Sequence, residues 1–264
     1  MNPVRNRLGV TPEALAKRRF LTRTLGGTGA LLLAGCDKLN QSPALKKVLS
    51  TGEVLSENVH RLAAGPGSMA QEFSPADLSP SFRGNGNTNP ASAEYKALAA
   101  NGFADWKLVV DGLVEQPGAW SLEQLRAMPG RTQITRHDCV EGWSAIGQWT
   151  GAPLAQLLAV VKPRPEARYV VFHCADSFGS ARYYESIDMD DAFHPQTLLA
   201  YALNGQTLPV TNGAPLRLRV ERQLGYKHAK YVMKIDAVAS LDGIGKGKGG
   251  YWEDAIGYDW YAGI

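Results

Sequence analysis

The chain has 264 residues, 44% of them hydrophobic, enough to bury one substantial core or at most two small ones, and one domain is the better expectation. Its net charge of +3 is small and its basic residues are spread out, which excludes the charged footprint of a nucleic-acid binder. Lys246 and Lys248, in a glycine-rich loop, read as solvated charges.

Residues 1–36 read as a targeting segment and are set aside from fold reasoning. Lys17-Arg18-Arg19-Phe20-Leu21 precedes an apolar, glycine-containing run from Leu25 to Ala34, as in a twin-arginine export leader. The register is imperfect, because pairing Arg18 with Arg19 brings Phe20 one residue early, whereas Lys17 and Arg18 give the usual spacing with one arginine fewer. The leader ends Leu33-Ala34-Gly35-Cys36, which resembles a lipobox with Cys36 as the lipidated first residue. An ordinary signal-peptide cysteine or a single anchor helix are the other readings, and the run is short against the ~20 apolar residues a span needs. Asp37 after that cysteine resembles a signal for retention on the inner membrane. Setting Cys36 aside leaves Cys139 and Cys174, which read either as a disulfide in an oxidising compartment or as thiols of which one binds a metal. The two readings exclude each other.

From residue 37 to residue 90 the pattern is that of a tether and extended loop. Val54, Leu55, Asn58, Val59 and Leu62 fall at helical spacing, and Gly65-Pro66-Gly67 breaks the pattern. The stretch Phe73 to Pro90 is rich in Ser, Pro, Gly and Asn and is interrupted by Phe82-Arg83-Gly84-Asn85. A globular domain is expected over residues 91–264. Trp106 to Val110 predicts a strand, with turn residues at Asp111-Gly112 and Gln116-Pro117-Gly118. Ser121 with Gln124 three residues on predicts a capped helix through Met128. Ile134 to Val140 predicts a strand, Thr150 to Val161 a helix, Tyr169 to Cys174 and Arg182 to Ile187 two strands, and Met189 to Phe193 a short helix. Arg217 to Glu221 and Val232 to Val238 complete the strands. Short strands mixed with short helices, without a regular strand-helix-strand rhythm, indicate an α+β fold.

The densest chemistry lies in Arg136-His137-Asp138-Cys139-Val140-Glu141-Gly142-Trp143-Ser144, with a thiol at a strand end among an imidazole, carboxylates and an indole. Cys139 to Ser144, followed by Asn212-Gly213-Ala214-Pro215-Leu216-Arg217 and then Gly225-Tyr226-Lys227, resembles the molybdopterin domain of the sulfite oxidase superfamily. The similarity is greatest to its periplasmic methionine-sulfoxide reductase branch and runs from about Trp106 to about Ala239. It implies a sulfite oxidase-type molybdopterin-binding domain of mixed sheets and short helices; because the chain ends soon after the aromatic tail, the immunoglobulin-like dimerisation domain that sulfite oxidases carry is expected to be lacking, and a monomer is expected.

The resemblance implies a molybdenum-molybdopterin cofactor with Cys139 as the metal ligand, a soft thiolate suited to a metal that exchanges electrons. Cys139 and Glu141 are then the catalytic candidates, Glu141 and Trp143 positioning the loop, although a tryptophan beside a strand is equally a core residue. Arg83, Asn85, Cys139, Cys174, Asn212, Arg217, Gly225, Tyr226 and Lys227 are the cofactor-binding candidates, with Gly225 to Lys227 in the place of the phosphate loop. Arg83 and Asn85 read equally as parts of a solvated loop. Family members carry threonine where Cys174 stands, and a thiol is the weaker hydrogen bonder. A zinc site of His137, Cys139, His173 and Cys174 lacks the usual paired spacing. Lys230 reads as a further cofactor contact or a solvated charge, and His228 as a site or surface residue. The aromatic tail from Tyr251 to Tyr261 finishes a core or forms a partner surface.

The leading expectation is an exported molybdoenzyme that reduces an S- or N-oxide on the periplasmic face of the inner membrane. The twin-arginine route suits a chain that takes up its cofactor before export. Electrons are expected from a membrane b-type cytochrome, since no haem motif is present, with a small molecule as substrate and no nucleic acid as partner. A sulfite dehydrogenase is the alternative; sulfite oxidases place an arginine shortly after the metal cysteine, where this chain has Glu141-Gly142-Trp143. A non-catalytic exported lipoprotein that keeps the fold as a binding module is the third reading.

Overall fold

A computed structural model describes residues 42–65 and 67–264, so the leader, the lipobox and Cys36 lie outside the described residues. Contacts divide the chain into two units, Met1–Val59 and His60–Ile264. Helix α1 (Pro43–Ala64) starts in the first. It is longer than the spacing of Val54 to Leu62 suggests, and Val54, Leu55, Val59 and Leu62 are exposed on it. Among the described residues no helix is long and apolar enough to cross a membrane.

Among the described residues the second unit carries ten strands in two five-stranded sheets. In the first sheet the order is β2 (Gly118–Ser121), β1 (Lys107–Gly112), β10 (Val232–Val238), β5 (Tyr169–Phe178) and β6 (Ala181–Asp188). Only β1 and β10 run parallel, with Val110 opposite Ile235, so this sheet is mixed. The second sheet is antiparallel throughout: β3 (Arg131–Cys139), β4 (Trp143–Pro153), β7 (Leu198–Leu203) and β8 (Gln206–Thr207), with β9 (Arg217–Arg219) paired to β7. The remaining helices are short, namely α2 (Ala93–Ala100), α3 (Leu122–Ala127), α4 (Leu154–Val161), α5 (Met189–Ala192) and α6 (Tyr251–Ile256). This is the α+β class the sequence indicates.

The expected capping box opens α3: the Gln124 amide donates to Ser121 Oγ at 3.1 Å and the Ser121 amide to Gln124 Oε1 at 2.8 Å. Expected boundaries move: β3 starts at Arg131 rather than Ile134, and β5 runs to Phe178 rather than Cys174. Thr150 to Pro153 belongs to β4 rather than to a helix, because Gly151 and Ala152 pair with Ala200 and Leu199 and Pro153 sits at φ −53°, ψ 129°, outside the helical region. The strand expected over Arg217 to Glu221 ends at Arg219, and a turn follows. Strands β4 and β7 were not foreseen; β7 (LLAYAL) is a short apolar run that periodicity cannot assign.

In α4, Leu154, Leu157, Leu158 and Val161 recur at i, i+3, i+4 and i+7, and all four are buried in the main apolar core with Leu108, Phe172 and Ile235. Leu157→Ala is expected to lower unfolding free energy by about 3 kcal/mol, from lost transfer and the cavity left behind. A shift in urea midpoint at unchanged slope measures it.

Candidate cofactor site

Strands β3 and β4 form a hairpin in register from Arg131 opposite Gly151 to Cys139 opposite Trp143. Its loop is Val140-Glu141-Gly142, closed by the Gly142 amide donating to the Cys139 carbonyl at 2.9 Å. Gly142 takes φ 84°, the left-handed conformation that such a three-residue loop demands and that glycine adopts without strain. The hairpin therefore fixes Cys139 at the last paired position. Along β3 the buried side chains are Gln133, Thr135, His137 and Cys139, so its inward face is polar, while Thr132, Ile134, Arg136 and Asp138 alternate with them on the other face.

Cys139 opens onto a cavity of about 720 Å³, part of it in contact with solvent, whose polar lining includes Asn85, Asp176, Arg217, His228 and Lys230. Asn85 Nδ2 donates to Cys139 Sγ at 3.4 Å. Burial raises the thiol pKa, opposed by a hydrogen bond from the Glu141 backbone, so a bound metal would be the agent that holds this sulfur as thiolate.

Behind the thiol, His137 Nδ1 lies 2.9 Å from Arg219 Nη1. Arginine can only donate, so Nδ1 accepts and the ring is neutral, in keeping with a pKa pushed well down by burial and then by Arg219. Arg219 also binds Glu221 in a buried two-pronged pair, at 2.9 and 2.5 Å. A Cβ on Gly225 would fall 2.5 Å from His137 Nε2, so only glycine lets this loop come so close. His228 Nε2 lies 3.0 Å from the Gln223 carbonyl and must donate to it, which leaves Nδ1 a bare acceptor.

Arg217 spends both terminal nitrogens on the carbonyls of Asn212 (3.0 Å) and His228 (3.3 Å). Lys230 Nζ donates to the carbonyls of Asn85 (2.7 Å), Asn87 (2.5 Å) and Thr211 (3.2 Å), pinning the 85–87 segment over the cavity. Burial pushes the Lys230 pKa down to about 7 and that of Asp176 up to about 7, while each charge favours the ionised form of the other.

Of the expected site residues, the structure brings Asn85, Cys139, Glu141, Arg217, Gly225 and Tyr226 to one cavity. Others lie elsewhere. Cys174 is buried in the apolar core with its thiol toward the Phe172 carbonyl at 3.9 Å, and it does not line the cavity. Asp176, two residues on, does so instead; the β5–β6 register breaks between His173 and Ser177. The Lys227 ammonium turns inward to Glu185 (2.5 Å) and Glu253 (2.8 Å), leaving the backbone of Gly225 and Tyr226 at the cavity. Arg83 also stands off the cavity, 4.3 Å over the Trp143 ring and 3.4 Å from Glu141. The Glu141 carboxylate, more than half exposed, accepts from Trp143 Nε1 at 2.9 Å at the rim. Asn212 donates to the Phe82 carbonyl at 3.3 Å and acts on the cavity by holding Arg217.

Both Cys139 and Cys174 are unpaired, so the disulfide reading falls. The zinc reading falls as well, because among the described residues no three His, Cys, Asp or Glu side chains are placed to hold an ion. Asp176 Oδ1, Arg217 Nε and His228 Nδ1 are buried without hydrogen-bond partners, and all three residues line the cavity. Two acceptors and one donor suit a heterocycle that carries both N–H and carbonyl groups, and a single thiolate suits a metal whose other ligands arrive with that heterocycle. The residues therefore fit a metal-pterin group.

The family described as oxidoreductase molybdopterin binding domain matches residues 96–241, more than half of the chain. The chain belongs to this family of molybdopterin-binding oxidoreductases. It is 38% identical over 253 residues to an Azospira oryzae protein provisionally named as the protein-methionine-sulfoxide reductase subunit YedZ1, covering 95% of this chain and 89% of that one. It is 33% identical over 249 residues to the protein-methionine-sulfoxide reductase catalytic subunit MsrP of Xanthomonas campestris pv. campestris, covering 88% of this chain and 73% of that one. The sulfane dehydrogenase SoxCD from Paracoccus pantotrophus aligns with a TM-score of 0.48 at 24% identity, over 52% of this chain and 39% of its own. Membership of the molybdopterin-binding family gives the chain its sulfite oxidase-type fold and its molybdenum-molybdopterin cofactor.

Proposed function

We propose that the chain is the catalytic subunit of an exported enzyme that reduces S-oxides, methionine sulfoxide foremost, to thioethers. The observation that carries the proposal is Cys139 at the tip of the β3–β4 hairpin, its sulfur facing the cavity and receiving the Asn85 amide, in a chain whose relatives are named as methionine-sulfoxide reductases. The overall change consumes one sulfoxide, two electrons and two protons and yields one thioether and one water. When bound, the cofactor supplies the oxygen-atom exchange and the passage of electrons.

The chain supplies ligand, orientation and proton access. Cys139 would hold the metal, with Asn85 donating to its sulfur and fixing its direction. Arg217, Asp176 and His228 would hold the heterocycle through their unpartnered atoms, and the backbone of Gly225 and Tyr226 would receive its phosphate. Asp176, with a pKa of about 7, is the buried carboxyl able to hold a proton at neutral pH. Glu141, on the rim, positions the loop through Trp143 and Arg83.

The rest of the proposal comes from the leader and from the family resemblance. Export in the folded state, lipidation at Cys36, a periplasmic site at the inner membrane, a membrane b-type cytochrome as electron donor and a monomeric chain form one consistent arrangement. An N-oxide would undergo the same loss of oxygen. Sulfite oxidation, the reverse flow, is less well served, because Glu141-Gly142-Trp143 follows Cys139 where sulfite oxidases place an arginine. The test is a reduced-viologen assay of the molybdenum-loaded protein with S- and N-oxides, beside sulfite with an artificial acceptor. Sulfoxide reduction is expected to dominate; faster sulfite oxidation would reverse the assignment.

A further inference from the structure

The cavity that holds Cys139 is polar where Asn85, Asp176, Arg217, His228 and Lys230 line it, but its lining also includes a continuous run of aromatic rings. In space the order is Tyr183, Phe178, Trp252, Tyr258 and Tyr226, with successive centroids 6.1, 5.1, 6.3 and 5.0 Å apart. All five residues line the cavity. The hydroxyl of Tyr183 donates to the Tyr226 carbonyl and that of Tyr226 to the Asp259 carbonyl, each at 2.6 Å. Their polar tips are thus tied to backbone, and the rings are what they can offer the cavity.

Two physical arguments fix what such an arc prefers. A sulfoxide is a dipole with a positive sulfur and a negative oxygen, while the face of an aromatic ring is negative; the arc attracts sulfur and its carbon substituents and leaves the oxygen toward the polar side. The cations nearby do not offset this preference. Lys230 spends its three N–H donors on carbonyls, the unpartnered Nε of Arg217 is taken by the heterocycle in the proposed arrangement, and Arg83 lies off the cavity on Trp143, so a small dianion finds few cationic donors to spare.

We infer that the Tyr183–Phe178–Trp252–Tyr258–Tyr226 arc is the specificity-determining surface of the site, selecting oxides whose sulfur carries a sizeable apolar substituent over small polar oxides and oxyanions. Trp252 and Tyr258 belong to the C-terminal aromatic stretch; Trp252 packs against the main apolar core, as one of the two expectations has it, and with Tyr258 also lines the cavity. The inference rests on the proposed oxide reduction and names its substrate class.

The experiment compares native, Trp252→Ala, Trp252→Phe and Tyr258→Ala holoenzymes with reduced methyl viologen, on methyl p-tolyl sulfoxide and on dimethyl sulfoxide, with molybdenum content measured in each. Native enzyme is expected to prefer the tolyl substrate. Trp252→Ala should lower the ratio of kcat/KM values, tolyl over dimethyl, by about tenfold, chiefly through KM for the tolyl compound, while Trp252→Phe restores most of the preference. Tyr258→Ala should shift the ratio in the same direction, which keeps the test decisive if Trp252→Ala does not fold. A ratio unchanged in the folded, molybdenum-loaded alanine variants overturns the arc as a selector while leaving oxide reduction standing. A native holoenzyme that reduces neither sulfoxide overturns oxide reduction itself, and the selector with it.

Discussion

Cys139→Ser is expected to lower turnover by at least about a thousandfold, the scale on which loss of an essential catalytic group registers. The hydroxyl that replaces the thiol is a harder and far less acidic ligand, so it neither ionises as readily nor shares charge with a soft metal as sulfur does. Fold and stability should barely change, by less than about 1 kcal/mol, because position 139 ends the hairpin ladder and serine can accept the same Asn85 amide. Circular dichroism, a denaturation midpoint and molybdenum content, measured beside turnover, separate the two effects. A serine variant with near-native turnover and full molybdenum content would remove Cys139 from the proposed site.

The second large effect is on stability, at Lys227. Its ammonium is fully buried between Glu185 and Glu253, one positive charge against two carboxyls. Burial disfavours its charge, but Glu185 and Glu253 outweigh that cost and hold its pKa above the ordinary lysine value; burial also drives Glu185 well above the usual carboxylate range. Lys227→Met removes the cation and leaves both carboxyls in a dry environment, a loss of about 3–5 kcal/mol. The deficit should depend on pH in a defined direction. Without the lysine, the folded-state pKa of Glu185 rises further above its unfolded value, so the native state binds more protons, and stability is lost as pH rises above the ordinary glutamate range. Urea unfolding at pH 5 and pH 8 should therefore show the smaller deficit at pH 5; equal deficits would contradict a buried carboxyl pair. The same cluster ties α6 to the Gly225–Lys227 turn, so molybdenum content should fall with stability.

Much of this protein is legible in its sequence where local physics decides the outcome. The capping box at Ser121 and Gln124, the i, i+3, i+4, i+7 apolar series of α4 and the strand from Val232 to Val238 are each fixed within a few residues. Family membership and the cofactor class are equally local, because they rest on short blocks that keep their order. Where a side chain points is another matter. Lys227 and Cys174 match cofactor positions in the chain, yet the first turns inward because Glu185 and Glu253, 42 and 26 residues away, lie beneath it, and the second faces the apolar core from its side of β5. Asp176 reaches the cavity where the β5–β6 register breaks, and Trp252 and Tyr258 reach it from a stretch whose composition alone fits a core or a surface. Sequence fixes what is set by residues three or four apart; the cavity's walls are set by pairings across dozens of residues, and only the tertiary structure decides those.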